Sequence, residues 1–144
     1  MCVDNRILFI CTGNFYRSRF AEALFNYHAE LRQIPWTAFS RGLAVHLAEG
    51  VLSPFTLGAL GERKVEVRHT AADRKQLCEI DLVQSYRRIA LDRAEHFAMM
   101  QRQFPNWADK IEYWDVPDLL YQSHIMALPE IERRTLQLLK EVSL

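Results

Sequence analysis

Apolar runs alternate with amphipathic stretches along this chain, and the two patterns predict alternating strands and helices. The uninterrupted apolar run at residues 7–10 predicts a buried first strand. Weaker apolar runs predict three more strands, at residues 36–40, 88–91 and 111–114. Alternating strands and helices favour an α/β fold with three layers, in which a four-stranded parallel sheet carries helices on both faces.

The first helical pattern follows the first strand after a short turn. Ser18 is a candidate N-cap, because its hydroxyl can accept a hydrogen bond from a first-turn amide. Phe20, Leu24 and Leu31 share one face of this helix, which we expect to be buried. The helix is expected to end before Pro35, since the residue preceding a proline disfavours the helical conformation.

Later segments of the chain also have helical patterns. Ser53-Pro54 predicts a helix start, because proline is favoured at the first helical position, although two glycines weaken the pattern. Shorter patterns cover residues 80–84 and 94–104, and Pro129 is expected to begin a C-terminal amphipathic helix. The sequence has no internal repeat or low-complexity tract, so residues 1–144 are predicted to form a single domain.

Composition narrows the possible classes of function. The 144 residues are 49% apolar and 25% charged, with a formal net charge of zero, which gives no overall field to attract nucleic acid or an acidic membrane. No apolar run approaches the roughly 20 residues of a membrane span, and the N-terminus lacks the features of a signal peptide. Cys2, Cys11 and Cys78 are odd in number and too scattered for a disulfide framework or a zinc site, which favours a protein of the reducing cytoplasm.

The candidate chemistry lies in the turn between the first strand and the first helix, where α/β folds bind ligands. Amides of such a loop can turn inward as a nest for an anion, and the following helix adds its positive end. Gly13 would permit a backbone shape that a side chain blocks, and Arg17 offers a planar fork for two phosphate oxygens. At the mouth of this nest Cys11 would be favoured as a nucleophilic thiolate, to which Ser18 could donate. The predicted phosphate-binding residues are Thr12, Gly13, Asn14, Phe15, Tyr16, Arg17 and Ser18.

A Cys-x5-Arg spacing alone is weak evidence, because a cysteine is often only a small buried apolar residue. Its surroundings strengthen the functional interpretation, since an apolar strand precedes the loop and a helix follows it. Residues 7–14, Arg17-Ser18 and Ala21-Glu22-Ala23 resemble the opening of the low-molecular-weight protein tyrosine phosphatase family. The similarity extends, less specifically, to that family's Ser-Ala-Gly turn, its His-x-Ala-Arg-Gln-Leu segment and its acid loop, at residues 39–42, 69–77 and 115–118.

The resemblance implies a two-step reaction without metal or cofactor on a phosphorylated protein or a small aryl phosphate. Cys11 would attack phosphorus and form a cysteinyl-phosphate, while Arg17 and the loop amides bind the charged oxygens. Asp118 matches the family's general acid, although Leu119 replaces the proline that normally follows it. Asp115 is the alternative acid, and a loop aspartate can also be a plain turn residue.

The resemblance also implies that Asn14, Ser40 and His69 brace the phosphate loop. A polar brace is physically sensible, because inward-facing amides leave outward-facing carbonyls that need partners. An equal alternative for Ser40 is an ordinary turn residue. An equal alternative for His69 is a core histidine whose hydrogen-bonding groups have partners.

Several residues depart from the family pattern. Tyr16 replaces a cysteine that can form a disulfide with the nucleophile, so oxidised Cys11 is not expected to recover through such a disulfide. Arg19 replaces a typical proline and adds a cation near the mouth of the loop. Phe15 forms an apolar wall that weakly favours phosphotyrosine over phosphoarginine, and Tyr121 is either a second wall or a core residue.

Two other functions stay open at this point. An arsenate reductase would need two further cysteines as a disulfide relay, which the positions of Cys2 and Cys78 do not supply. The altered acid loop also allows a phosphate- or phosphoprotein-binding module with degenerate catalysis.

Overall fold

Four parallel strands form the central sheet of this protein, as the alternating pattern predicts. The computed structural model describes residues 5–119 and 121–143, so Cys2 lies outside the described residues. The strands are Arg6–Cys11 (β1), Thr37–Gly42 (β2), Arg87–Ala90 (β3) and Glu112–Tyr113 (β4). The helices are Arg17–Leu31 (α1), Pro54–Glu62 (α2), Glu79–Val83 (α3), Arg93–Gln103 (α4) and His124–Val142 (α5).

The sheet has the strand order β2-β1-β3-β4, with β1 hydrogen-bonded between β2 and β3. Alternate residues of β1 face opposite sides, as the two-residue period of a strand requires. Ile7 and Phe9 pack into a core with α1, α2 and α5, whereas Leu8 and Ile10 pack with residues of α3 and α4 on the other side. The predicted three-layer α/β fold is confirmed, and the central position of β1 brings its carboxyl end between two neighbouring strands.

Helix α1 begins at Arg17, two residues before the start that an N-cap at Ser18 would give, and ends as expected before Pro35. Tyr16 occupies the N-cap position and makes no side-chain cap hydrogen bond. The prediction that Ser18 is the N-cap is therefore wrong, because its hydroxyl turns toward the preceding loop instead. Leu31, expected on the buried face, is the last residue of α1 and is 65% exposed, whereas Phe20 and Leu24 on the same helix are fully buried.

Helix α5 begins at His124, one and a half turns before the predicted start at Pro129. Ser123 caps it by accepting a hydrogen bond from the Ile125 amide at 3.1 Å. Pro129 therefore lies inside the helix, where tertiary packing of the buried Ala127 and Leu128 outweighs the local preference. Among the helices that the structure describes, none is both long enough and apolar enough to cross a membrane.

The start of α2 agrees with the sequence pattern. Ser53 accepts a hydrogen bond from the Phe55 amide at 3.2 Å, and Pro54 is the first helical residue. Leu60 is fully buried, while Phe55 and Leu57 remain exposed on the outer face.

Candidate active site

Most carbonyl groups of the loop between β1 and α1 accept hydrogen bonds from neighbouring segments of the chain. The Cys11 and Thr12 carbonyls accept hydrogen bonds from the Leu43 and Ala44 amides at 2.9 and 2.8 Å. Further along, the Phe15 and Tyr16 carbonyls accept from the Ser53 amide and the Thr56 hydroxyl, each at 2.9 Å. A loop whose carbonyls are held in this way can offer its own amides, and the first-turn amides of the following helix, to an anion.

Glycine is required at the point where β2 approaches this loop. A Cβ atom at Gly42 would lie 2.7 Å from the Thr12 carbonyl oxygen and 2.9 Å from the Asn14 nitrogen, distances that the backbone cannot accommodate. At Gly13 a side chain is also blocked, because its Cβ would lie 2.9 Å from Ala48 Cβ, although the φ of Gly13 is not positive. The left-handed residue of the loop is Asn14, with a φ of 53°.

Asn14 and Ser18 connect the nucleophile candidate to the neighbouring strand. Cys11 Sγ lies 3.0 Å from Ser18 Oγ, and both residues are buried. The Asn14 amide donates to Ser18 Oγ at 3.0 Å and to Ser40 Oγ at 2.9 Å. Its oxygen accepts from the Lys75 amide at 2.8 Å, so all three polar functions of this side chain are used.

A buried polar cluster supports this network from behind the loop. Glu22 on α1 accepts hydrogen bonds from Ser40 at 2.6 Å and from Thr70 at 2.8 Å. Arg19 donates to Thr70 at 2.6 Å and to the Asn14 carbonyl at 3.3 Å. Burial raises the pKa of Glu22 and lowers that of Arg19, so each charge depends on its hydrogen bonds within the cluster. Arg19, predicted as a cation near the mouth, is instead 1% exposed and binds the outer side of the loop.

Arg17 lines the same cavity as Cys11, and its guanidinium is held by a carboxylate that the sequence analysis did not select. Its two terminal nitrogens, Nη1 and Nη2, donate to the oxygens of Glu95 at 3.0 and 2.8 Å, and Nη1 also donates to the Val116 carbonyl at 2.9 Å. Arg17 is only 2% exposed. Burial alone would lower the pKa of Arg17, but the hydrogen bonds to Glu95 and the nearby negative groups outweigh it and raise the pKa.

Glu95, at the start of α4, is itself held by Thr12 of the loop after β1 and by its neighbour His96. The Thr12 hydroxyl donates to Glu95 Oε2, and His96 Nε2 lies 3.1 Å from the same oxygen. Burial alone would raise the pKa of Glu95, yet the hydrogen bonds with His96 and Arg17 outweigh it and hold the pKa well below its ordinary range. Burial lowers the pKa of the fully buried His96, which favours its neutral imidazole.

The two candidate acids occupy different surroundings. Asp118 Oδ2 lies 3.8 Å from Arg17 Nη2, and its other oxygen accepts from the Leu119 amide at 2.8 Å. The side chain of Asp115 is 77% exposed and forms an ion pair with Arg134 on α5. Asp118 thus lies beside Arg17 and the loop between β1 and α1, whereas Asp115 pairs with α5 instead.

Two adjoining cavities open at this end of the sheet and share Asp118. The smaller, about 180 Å³, is lined by Cys11, by other loop residues including Phe15 and Arg17, and by Leu47 and Ala48. The larger, about 520 Å³, is lined by Asp92, Ala94, Glu95, Pro117, Asp118 and Tyr121. Tyr121 is 81% exposed, so it is a wall of this cavity and not a core residue. In the described part of the chain, no three His, Cys, Asp or Glu side chains are grouped as a metal site.

The structure brings most of the predicted site residues together, but His69 lies elsewhere. Its imidazole packs against Tyr27 with ring centroids 5.6 Å apart and lies 3.7 Å from a Glu30 oxygen. Within residues 5–119 and 121–143, no hydrogen bond joins the His69 side chain to the loop between β1 and α1, and the adjacent Thr70 contributes to the polar cluster behind that loop instead. Ser40 does lie in the brace.

The residues that the sequence analysis missed are Glu22, Thr70, Glu95 and His96. Glu95 and His96 follow β3 closely, and β3 adjoins β1 in the sheet, so position at a carboxyl strand end was the signal that could have found them.

Comparison with known proteins finds similarity to phosphatases. Residues 6–144 match the family model described as low molecular weight phosphotyrosine protein phosphatase. The chain is 29% identical over 105 residues to a protein-arginine-phosphatase of Bacillus subtilis (strain 168), an alignment that covers 73% of this chain and 67% of the relative.

The solved structures that resemble this chain include phosphatases as well. A low molecular weight protein tyrosine phosphatase from T. tengcongensis superposes with a TM-score of 0.80 at 26% identity, covering 94% of this chain and 98% of the other. The YwlE arginine phosphatase from Geobacillus stearothermophilus superposes with a TM-score of 0.74 at 28% identity, covering 95% and 92%.

Proposed function

Because the match over residues 6–144 means that this chain belongs to the low molecular weight phosphotyrosine protein phosphatase family, we propose that it hydrolyses phosphotyrosine-type phosphate monoesters through a cysteinyl-phosphate intermediate. One observation carries this proposal. Cys11 Sγ lies 3.0 Å from the Ser18 hydroxyl at the start of α1, and Cys11 and Arg17 line the same small cavity. A thiolate there has a donor, a helix N-terminus and a guanidinium to stabilise it, and each of these also attracts phosphate.

The reaction would run in two steps. In the first, Cys11 Sγ forms a bond to phosphorus as the bond to the leaving oxygen breaks, and Asp118 donates its proton to that oxygen. In the second, a water attacks phosphorus while Asp118 accepts a proton from it, and the sulfur–phosphorus bond breaks to release phosphate and thiolate. Arg17 and the loop amides stabilise the charge on the equatorial oxygens in both steps. The 3.8 Å separation of Asp118 and Arg17 supports Asp118 over Asp115 as the acid.

Phosphotyrosine, on a protein or as a small aryl phosphate, is the substrate class that the walls of the site favour. Phe15 and Tyr121 offer aromatic surface beside the two cavities. Phosphoarginine is the second candidate, favoured by the carboxylates of Asp92 and Asp118 in the larger cavity, which suit the N–H groups of a guanidinium. Cys11 and Cys78 are free thiols, which supports the cytoplasm as the site of the reaction.

The proposal is tested by turnover of p-nitrophenyl phosphate in the presence of EDTA. Wild-type protein should hydrolyse it, and Cys11→Ser should abolish hydrolysis because serine is a far weaker nucleophile here. Asp118→Ala should lower kcat by about 10²–10⁴-fold while phosphate still binds, and Asp115→Ala should have the smaller effect. A larger effect of Asp115→Ala would reverse the acid assignment.

The same assay separates the other functions. Phosphate binding without turnover by the wild type would identify a binding module, and arsenate reduction with thiol would identify a reductase. Peptides carrying phosphotyrosine, phosphoserine or phosphoarginine, compared by kcat/KM, then decide the substrate class.

A further inference from the structure

We propose that Glu95 is a positioning residue that holds Arg17 in the orientation needed to bind phosphate. This inference rests on the proposed function. Glu95 contacts Arg17, at one end of the phosphate loop, and Thr12, at the other, so one carboxylate links both ends.

Counting the donors of Arg17 shows why this carboxylate does not occupy the phosphate-binding edge. A guanidinium has five N–H groups in a fixed plane. Three of them are used, since Nη1 donates to Glu95 and to the Val116 carbonyl, and Nη2 donates once to Glu95. The Nε hydrogen and the second Nη2 hydrogen have no hydrogen-bond acceptor within the described residues, and they form the adjacent edge of the same plane. Glu95 therefore binds the edge of the guanidinium formed by Nη1 and Nη2. The edge formed by Nε and Nη2 remains to receive two phosphate oxygens.

Glu95 is in turn fixed from the far side of the site. The Asp92 amide donates to His96 Nδ1 at 3.1 Å, so the proton of the neutral imidazole is on Nε2. That nitrogen lies 3.1 Å from both Glu95 Oε2 and the Thr12 hydroxyl. The first turn of α4 thus presents a carboxylate whose rotamer is fixed by two neighbours, which is what a group that orients a catalytic arginine requires.

The opposite hypothesis is that Glu95 competes with phosphate for Arg17 as a built-in anion. The two hypotheses predict opposite signs for one measurement. If Glu95 positions Arg17, Glu95→Gln weakens phosphate binding, because the guanidinium loses an acceptor and is free to rotate. If Glu95 competes, the same change strengthens binding, because a negative charge beside the anion is removed.

The experiment measures the affinity of inorganic phosphate by titration calorimetry in wild type and Glu95→Gln, together with kcat and KM on p-nitrophenyl phosphate. We expect affinity and kcat to fall about 10–100-fold, by analogy with the loss seen when a residue that orients a metal-ligating side chain is removed. Tighter or unchanged phosphate binding would overturn the inference. Calorimetry does not require turnover, so this result is independent of whether the wild type proves to be a phosphatase.

Matched variants separate positioning from general stability. Glu112 forms a similar bidentate pair with Arg87, at 2.6 and 2.8 Å, beside the amino end of β3, so Glu112→Gln removes an equivalent ion pair far from the loop and should leave phosphate affinity unchanged. Thr12→Val removes the hydroxyl that holds Glu95, so it should lower phosphate affinity, but by less than Glu95→Gln does. Thr12→Ser keeps a hydroxyl and should restore the phosphate affinity that Thr12→Val loses. Loss of affinity in Glu112→Gln, or failure of Thr12→Ser to restore it, would contradict the positioning role.

Discussion

Asn14 shows most directly how single residues shape this site. It adopts a positive φ of 53°, and its amide group makes three hydrogen bonds that tie the loop to α1, to β2 and to the segment before α3. Asparagine tolerates this backbone region better than most residues and brings both a donor and an acceptor to it. One side chain therefore stabilises the turn locally and fixes its distance from neighbouring elements.

Asn14→Ala should lower the free energy of unfolding by about 2–4 kcal/mol, since three buried hydrogen bonds are lost and alanine is less favourable at positive φ. Urea unfolding followed by circular dichroism measures this, and phosphate affinity should fall in parallel. Asn106→Ala, at an exposed asparagine, is the control and should change stability little. Equal effects of the two substitutions would mean that the three bonds contribute nothing to stability.

At the scale of elements, the strand ends and helix starts decide where side chains meet. Residues of three segments meet around Arg17 and Glu95: Thr12 of the loop after β1, the start of α4 after β3, and the segment after β4 that carries Val116 and Asp118. Each follows the carboxyl end of a parallel strand, so the site is a consequence of parallel pairing. Helix α5 contributes from a distance, by packing against α1 through the core that includes Ile131 and Leu139.

The proline inside α5 gives a prediction about this element. Pro129 is exposed and lacks the N–H that would bond to the Ile125 carbonyl one turn earlier. Pro129→Ala should restore that bond without leaving a cavity, and should raise the free energy of unfolding by about 1–3 kcal/mol. Thermal and urea unfolding measure the change. Pro105→Ala, in the turn after α4, should not stabilise, and a gain there equal to that of Pro129→Ala would refute the helical explanation.

The whole molecule carries several buried titratable groups, and their balance sets how stability depends on pH. Burial lowers the pKa of His96, as it does for His28 and His69. A histidine whose pKa is lowered in the folded protein is protonated more readily in the unfolded state. Such a histidine therefore lowers the free energy of unfolding as pH falls below about 6.5. Burial raises the pKa of Glu22 and Asp92, and these groups act in the opposite direction.

The contribution of His96 is measured by comparing how the free energy of unfolding depends on pH in the wild type and in a His96 variant. Between pH 7.5 and 5.5 the unfolding free energy of His96→Gln should fall less steeply than that of the wild type, because glutamine does not titrate. Urea unfolding at three pH values in this range gives the two slopes. Parallel slopes, or a steeper one in the variant, would show that His96 does not resist protonation in the folded protein.

The sequence by itself determined that the chain forms a parallel sheet, the order of its elements, and the position of the loop between β1 and α1. These depend on residues close together in the chain: the apolar run before Cys11, the eight residues from Cys11 to Ser18, and the periodic pattern of α1. Local spacing is sufficient there, because a strand, a turn and a helix start are each defined within a few residues. Helix termini were less well predicted, as Ser18 and Pro129 show, because packing can outweigh a local capping preference.

Only the tertiary structure decided which residues support the loop. Glu95 is 78 positions from Arg17 and Thr70 is 48 from Glu22, so no spacing in the chain relates either pair. Their contacts depend on strand order, since β3 lies beside β1 and brings the start of α4 next to the loop. The same order places the segment after β4 so that Asp118, and not Asp115, faces Arg17. Local pattern fixes which groups a chain offers, and long-range packing fixes which of them come within hydrogen-bonding distance.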